Sequence, residues 1–210
     1  MATTMKYSKK ELFGGAITSE VPETWADLSD IRPIPDNQEC FQDSLFSKNP
    51  LMMVIEVLER QEHVEDHNAA AFFFNDLAER NGALQTKNDT QFYTFEDHAL
   101  PTALLREDSI VAGINTIRVT AGSGFQKVAI GRDVDDSANI RRECQDMKYL
   151  RVDLYVFRLP MQETDLLISM SRSVETSKVG GLTYDNFSET NAILGRVISS
   201  FRIHDWGLFG

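Results

Sequence analysis

Glu59, His63 and His67 stand four residues apart, with Asp66 beside them. On a helix running through all three, a carboxylate and two imidazoles would share one face, and these are donor types that hold zinc. A working metal site also needs ligands oriented by hydrogen-bonded neighbours, and no cysteine or orienting partner is evident near this set. The plainer reading, a solvated helix end where imidazoles lie near carboxylates, is preferred. His98 and His204 are isolated and read as structural. Gly122-Ser123-Gly124 lacks the third glycine and following helix of a dinucleotide fingerprint, so it reads as a β-bulge. The chain contains no Gly-x-Ser-x-Gly elbow, no phosphate loop ending in Gly-Lys-Ser/Thr and no His-Glu-x-x-His. A binding protein without metal or cofactor is therefore expected, not an enzyme.

Two groups of carboxylates remain. Asn49 and Pro50 suit the start of a helix, and Leu51, Val54, Ile55 and Leu58 repeat at helical spacing after them. Such a helix sets Glu59 at the edge of its buried face, Glu56 further out and Met52 between them. Like charges three residues apart cost a helix a few tenths of a kcal/mol, roughly. The patch of Met52, Glu56, Glu59 and His63 is acidic with an apolar centre, as suits an interface. From the residues alone, an ordinary polar helix face is the commoner outcome. The second group is Asp27, Asp30, Asp36 and Glu39. Turn formation and capping are its plain roles, above all for Asp36 after Pro35, while Asp30 and Glu39 are candidates for the edge of an interface.

The elements that must carry these residues are legible in outline. Short strands are expected over 16–21 and 39–42, and a helix over 69–80 with Ala70, Phe73, Phe74 and Leu77 inward and Gly82 beyond its end. Strand text follows over 110–119 and 125–130, with the glycine bulge between them and a polar turn over 133–139. Residues 149–158 alternate, with Leu150, Val152, Leu154 and Val156 on one face and Arg151 and Asp153 on the other. Pro160 breaks this strand, and 165–170 is its hairpin partner. After Gly180-Gly181, a last helix carries Phe187, Leu194, Val197, Ile198 and Phe201 on one face. Strands in series with helices between and after them predict an α+β fold on an antiparallel sheet.

Composition narrows the partners. A chain of 210 residues with 42% hydrophobic and 10% aromatic content has the make-up of one globular domain, here 11–210, after a loose tail over 1–10. A formal net charge of −11 repels phosphate backbones and favours basic protein surfaces, so no nucleic-acid partner is expected. No apolar stretch has the length of a membrane span, and no apolar run follows Lys6, Lys9 and Lys10 as in a secretory signal. Cys40 and Cys144 are expected to be reduced thiols.

The most specific text is N-terminal: Leu12-Phe13-Gly14-Gly15-Ala16-Ile17, then Asp27-Leu28-Ser29-Asp30-Ile31-Arg32-Pro33-Ile34-Pro35-Asp36-Asn37-Gln38-Glu39. Its glycines, prolines and acids describe a constrained polar path and no regular element. It resembles the signature of the Mog1 family of Ran-binding nuclear transport factors, matching every fixed position of Asp-x-Ser-x-x-Arg-x-x-Pro-Asp-x-Gln-Glu. Residues 55–59, 126–132, 158–168 and 201–209 add weaker matches in the expected order. The resemblance implies a six-stranded antiparallel sheet flanked by helices, similar to the photosystem II protein PsbP. It also implies a monomer of nucleus and cytoplasm that binds the GTPase Ran, GTP-bound or nucleotide-free, and promotes release of guanine nucleotide. The family's acidic pair falls on Glu56 and Glu59. With Met52, Asp30, Asp36 and Glu39 these are the expected partner-binding residues. A PsbP-like assembly module with a different partner is the alternative.

Overall fold

A computed structural model describes residues 5–43, 49–83, 90–95, 117–129, 147–174 and 188–210. The main sheet contains β3 (Ala26–Asp27), β4 (Gln38–Gln42), β5 (Met52–Glu59), β6 (Thr90–Phe95), β7 (Arg118–Ala129), β8 (Met147–Leu159) and β9 (Thr164–Val174). Its order is β3-β4-β5-β9-β8-β7-β6 with every neighbouring pair antiparallel. The expected six-stranded sheet is thus present from β4 to β6, and the two-residue β3 extends its edge. A second sheet joins β1 (Tyr7–Leu12), β2 (Ile17–Pro22) and β10 (Arg202–Ile203). The helices are α1 (Ala69–Arg80) and α2 (Ser188–Ser200). None is long and apolar enough to cross a membrane among the described residues.

The small sheet and α2 cover one face of the main sheet. Leu12, Ile17 and Val21 meet Phe41, Met53, Ile55 and Ile168 there, with Val197 and Phe201 from the α2 end of the chain. The rings of Phe157 and Phe201 stack at 6.1 Å. On the opposite face, α1 buries Ala70, Phe73 and Phe74 against Val152, Leu154 and Val156. The alternation read in β8 therefore holds, because each of its faces has its own cover. Arg151 and Asp153 point to the α2 side as a buried ion pair, joined by hydrogen bonds from Arg151 to Asn191 and from Ser123 to Asp153.

Three expectations change. The helix expected from Pro50 is β5. Apolar residues at nearly every position satisfy a helical stripe and a doubly covered strand equally, and Val54, Ile55 and Val57 favour the pleat. Pairing with β4 on one side and β9 on the other settles the choice. The bulge expected at Gly122 and Gly124 is absent: β7 pairs with β8 without interruption, Gly122 opposite Leu154 and Gly124 opposite Val152. Both glycines share the face that α1 packs on, where an absent side chain leaves room for the helix. Residues 7–10, expected in a loose tail, belong to β1, which pairs with β2 from Tyr7↔Pro22 to Leu12↔Ile17. Residues 110–116, the turn at 133–139, Cys144, Gly180, Gly181 and Phe187 lie outside the described residues.

Candidate functional site

Because β5 is a strand, its side chains alternate, and Glu56 and Glu59 point to opposite faces. Glu56 is buried in the β4–β5 pairing. It sits opposite Gln38 and accepts a 2.7 Å hydrogen bond from the Gln38 side-chain amide. Glu59 is the last residue of the strand and is exposed. Met52 shares a face with Glu56 but opens the strand, opposite Gln42 and Ser171, seven residues and about 23 Å from Glu59. The expected patch of Met52, Glu56 and Glu59 is therefore not formed.

A different group forms at the end of the sheet where β4 begins and β5 ends. Asn37 grips Val57 twice: its carbonyl accepts from the Val57 amide at 2.9 Å, and its side chain donates to the Val57 carbonyl at 3.0 Å. This holds exposed Asp36 beside the strand end that carries Glu59. Asp30 closes a 3-10 turn, Leu28–Asp30, and is also exposed. Capping there falls to Asp27, whose carboxylate accepts from the Ser29 amide at 2.9 Å and its hydroxyl at 2.6 Å.

Glu39 turns inward instead. It accepts a 2.5 Å hydrogen bond from the Phe13 amide. The turn it holds has positive φ at Phe13 (50°), Gly14 (65°) and Gly15 (94°), which explains the paired glycines. Burial pushes its carboxyl above the ordinary value, against the lowering effect of the Phe13 bond and with a further push from Asp27. Burial likewise raises the Cys40 thiol, which is free.

The segment after Glu59 is held by a charge pair that the sequence reading missed. Arg158 and Asp165, opposite each other on β8 and β9, are both fully buried and pair at 3.0 Å. The Arg158 guanidinium also donates to the Gln61 carbonyl at 2.7 Å and to the Val64 carbonyl, while Asp165 accepts from the Gln61 amide at 3.0 Å. Asp66 lies 3.1 Å from Arg158 and 3.2 Å from Arg60. An arginine and an aspartate flanking a hairpin turn inside apolar strand text were the available signal. Residues 60–66 are thereby tied to the hairpin. They present Glu62, His63 and Glu65 outward. His63 packs edge-on against Phe72 at 5.5 Å. His67 belongs to a separate 3-10 turn, Asp66–Asn68, so Glu59, His63 and His67 share no helix face. Among the described residues no group of three potential ligands is placed to hold a metal ion.

This end carries exposed Asp30, Asp36, Glu59, Glu62 and Glu65 beside exposed Arg32, so it is acidic on balance, and a basic surface is its electrostatic complement. Comparisons with known proteins bear on the family and the fold. The family described as "Ran-interacting Mog1 protein" matches residues 10–173. The bovine protein named Ran guanine nucleotide release factor is 30% identical over 95% of each chain. Nuclear import protein mog1 of Schizosaccharomyces pombe is 46% identical over 76 residues, 36% of this chain and 38% of that one. The solved structure of the Saccharomyces cerevisiae Ran-binding protein Mog1p has the same fold, with a TM-score of 0.70 at 21% identity, covering 99% of this chain and all of that one. A family match over most of the chain, joined to a full-length relative, shows that the protein belongs to the Mog1 family.

Proposed function

We propose that this protein binds the small GTPase Ran and promotes release of its guanine nucleotide, GTP in particular, in support of transport between nucleus and cytoplasm. The observation that carries this reading is the 30% identity, over 95% of both chains, to a protein named Ran guanine nucleotide release factor. The acidic end of the sheet supports it physically. Nucleotide release needs a partner that binds the loosened state of the GTPase more tightly than the loaded one, and no covalent bond need change. Carboxylates set against basic residues that otherwise hold phosphate would supply that difference. Glu59 leads this surface with Asp30 and Asp36. Glu56 and Glu39 act behind it by holding β4 to β5 and the glycine turn to β4. Met52 lies apart and has no contact in the reading. The protein acts as a monomer on GTP-bound or nucleotide-free Ran.

The test is release of a fluorescent nucleotide from Ran, loaded separately with GTP and GDP, across a titration of this protein. A saturable acceleration, larger for GTP, is expected. Release at the uncatalysed rate with both nucleotides at every concentration removes the reading.

A further inference from the structure

The described surface carries few large apolar side chains: Met5 at 37% exposure, Ile31 at 55% and Met161 at 67%. The two most exposed lie at the acidic end of the main sheet. Ile31 follows the 3-10 turn that ends in Asp30, and Met161 lies in the hairpin turn Pro160–Gln162 between β8 and β9. The end of β5 runs between them. On one side Val57 bonds to Asn37 of the loop that carries Ile31. On the other, the Arg60 amide donates to the Glu163 carbonyl at 2.8 Å. The turn that carries Ile31 follows the edge strand β3, and Met161 lies in the β8–β9 hairpin. Strands spaced about 4.8 Å apart therefore put the two side chains roughly 15–20 Å from each other. Both fall within one footprint of about 800 Å².

Neither side chain sits on a loose loop. The Ile31 and Arg32 amides both donate to the Leu28 carbonyl, and Asp27 caps that turn. The Met161 turn starts at Pro160, closes through the Glu163 amide to the Pro160 carbonyl, and leaves Glu163 at a φ of 48°. The buried Arg158–Asp165 pair stands directly behind it. Backbone turns already held in place have little freedom left to lose on binding, which favours an anchor residue.

We infer that Ile31 and Met161 are apolar anchors flanking Glu59 on the surface that receives Ran, and that they contact a patch of the GTPase that is apolar within a basic rim. This rests on the Ran-binding reading. Acids give such an interface its rate and orientation, whereas desolvated apolar anchors slow dissociation. The flexible thioether of Met161 adapts to a surface that changes shape as nucleotide leaves.

The test compares Ile31→Ser, Met161→Ser and Glu59→Gln with the native chain in titrations against nucleotide-free Ran at low and high salt. Each serine variant is expected to weaken binding about tenfold, with unchanged Tm and an unchanged dependence on salt. Glu59→Gln is expected to weaken binding and flatten that dependence. Ile31→Val and Met161→Leu should restore native affinity. Native affinity in the serine variants, while the native chain binds Ran, overturns the inference and leaves the function standing. So does equal weakening by the serine and the conservative variants. A dimer of this chain that is lost in the serine variants at unchanged Ran affinity overturns it in favour of self-association. No binding by the native chain overturns both readings.

Discussion

Glu56 and Glu59 are three residues apart and chemically alike, yet they sit in different surroundings. Glu56 is buried and bonded to Gln38, whereas Glu59 is exposed at a strand end. Glu59→Lys is therefore expected to weaken Ran binding tenfold or more while stability stays within about 0.5 kcal/mol. Paired urea titrations and binding isotherms check this. Glu56→Lys places an unpaired cation beside Gln38 and should lower stability by roughly 1–3 kcal/mol. Any loss of binding in that variant is then read only after its unfolding curve. Glu39 makes a separate prediction. Its folded carboxyl titrates above the ordinary value near 4.5, mainly through burial. The folded state therefore holds the proton more tightly than the unfolded one. Stability falls as pH rises from about the ordinary carboxylate value through the raised one. Glu39→Gln still accepts from Phe13 and has no proton to lose, so its unfolding midpoint should gain on the native chain across that window.

At the scale of elements, the change from helix to strand at 52–59 matters most. A helix would have set both glutamates outward and left Met52 between them. The strand buries one, exposes the other and sends Met52 to the far end. Text such as Met-Met-Val-Ile-Glu-Val-Leu-Glu does not decide this, because an apolar residue at nearly every position fits both periods. By contrast, α1 spans 69–80 as its text implies, since Phe73 and Phe74 repeat against alanines and Gly82 takes a φ of 66° just past the end. The Arg158–Asp165 pair joins β8, β9 and residues 60–66, and breaking it should be felt in all three. Arg158→Met strands a buried carboxylate and should cost about 3–5 kcal/mol. Hydrogen exchange at the Gln61 amide, which donates to Asp165, should quicken more than at amides within β2.

For the whole molecule, a net charge of −11 should make association with a basic GTPase surface fast and sensitive to salt. The association rate is expected to fall at least several-fold between about 0.05 and 0.3 M salt, with a smaller change in dissociation. Stopped-flow mixing with nucleotide-free Ran at several ionic strengths checks it. The family, the antiparallel α+β class, α1 and the β8–β9 hairpin were legible in the linear text. Each is encoded locally, by a fixed-spacing motif, a period or a turn residue that neighbouring positions interpret without distant help. The candidate site was only half legible: the loop that carries Asp30 and Asp36 is where the text implies, but Glu59 is expected on a helix with Met52 and Glu56 and lies at a strand end instead. Which acids share a surface depends on which strands become neighbours. Gln38 of β4 meets Glu56, Asn37 meets Val57, and Arg158 meets residues 61–64 across long stretches of chain. These meetings follow from strand order and register, which many distant apolar contacts select together. Residue types thus named the family and supplied the acids, and the tertiary structure decided which of them reach the surface, because strand pairing turns Glu59 outward and Glu56 in.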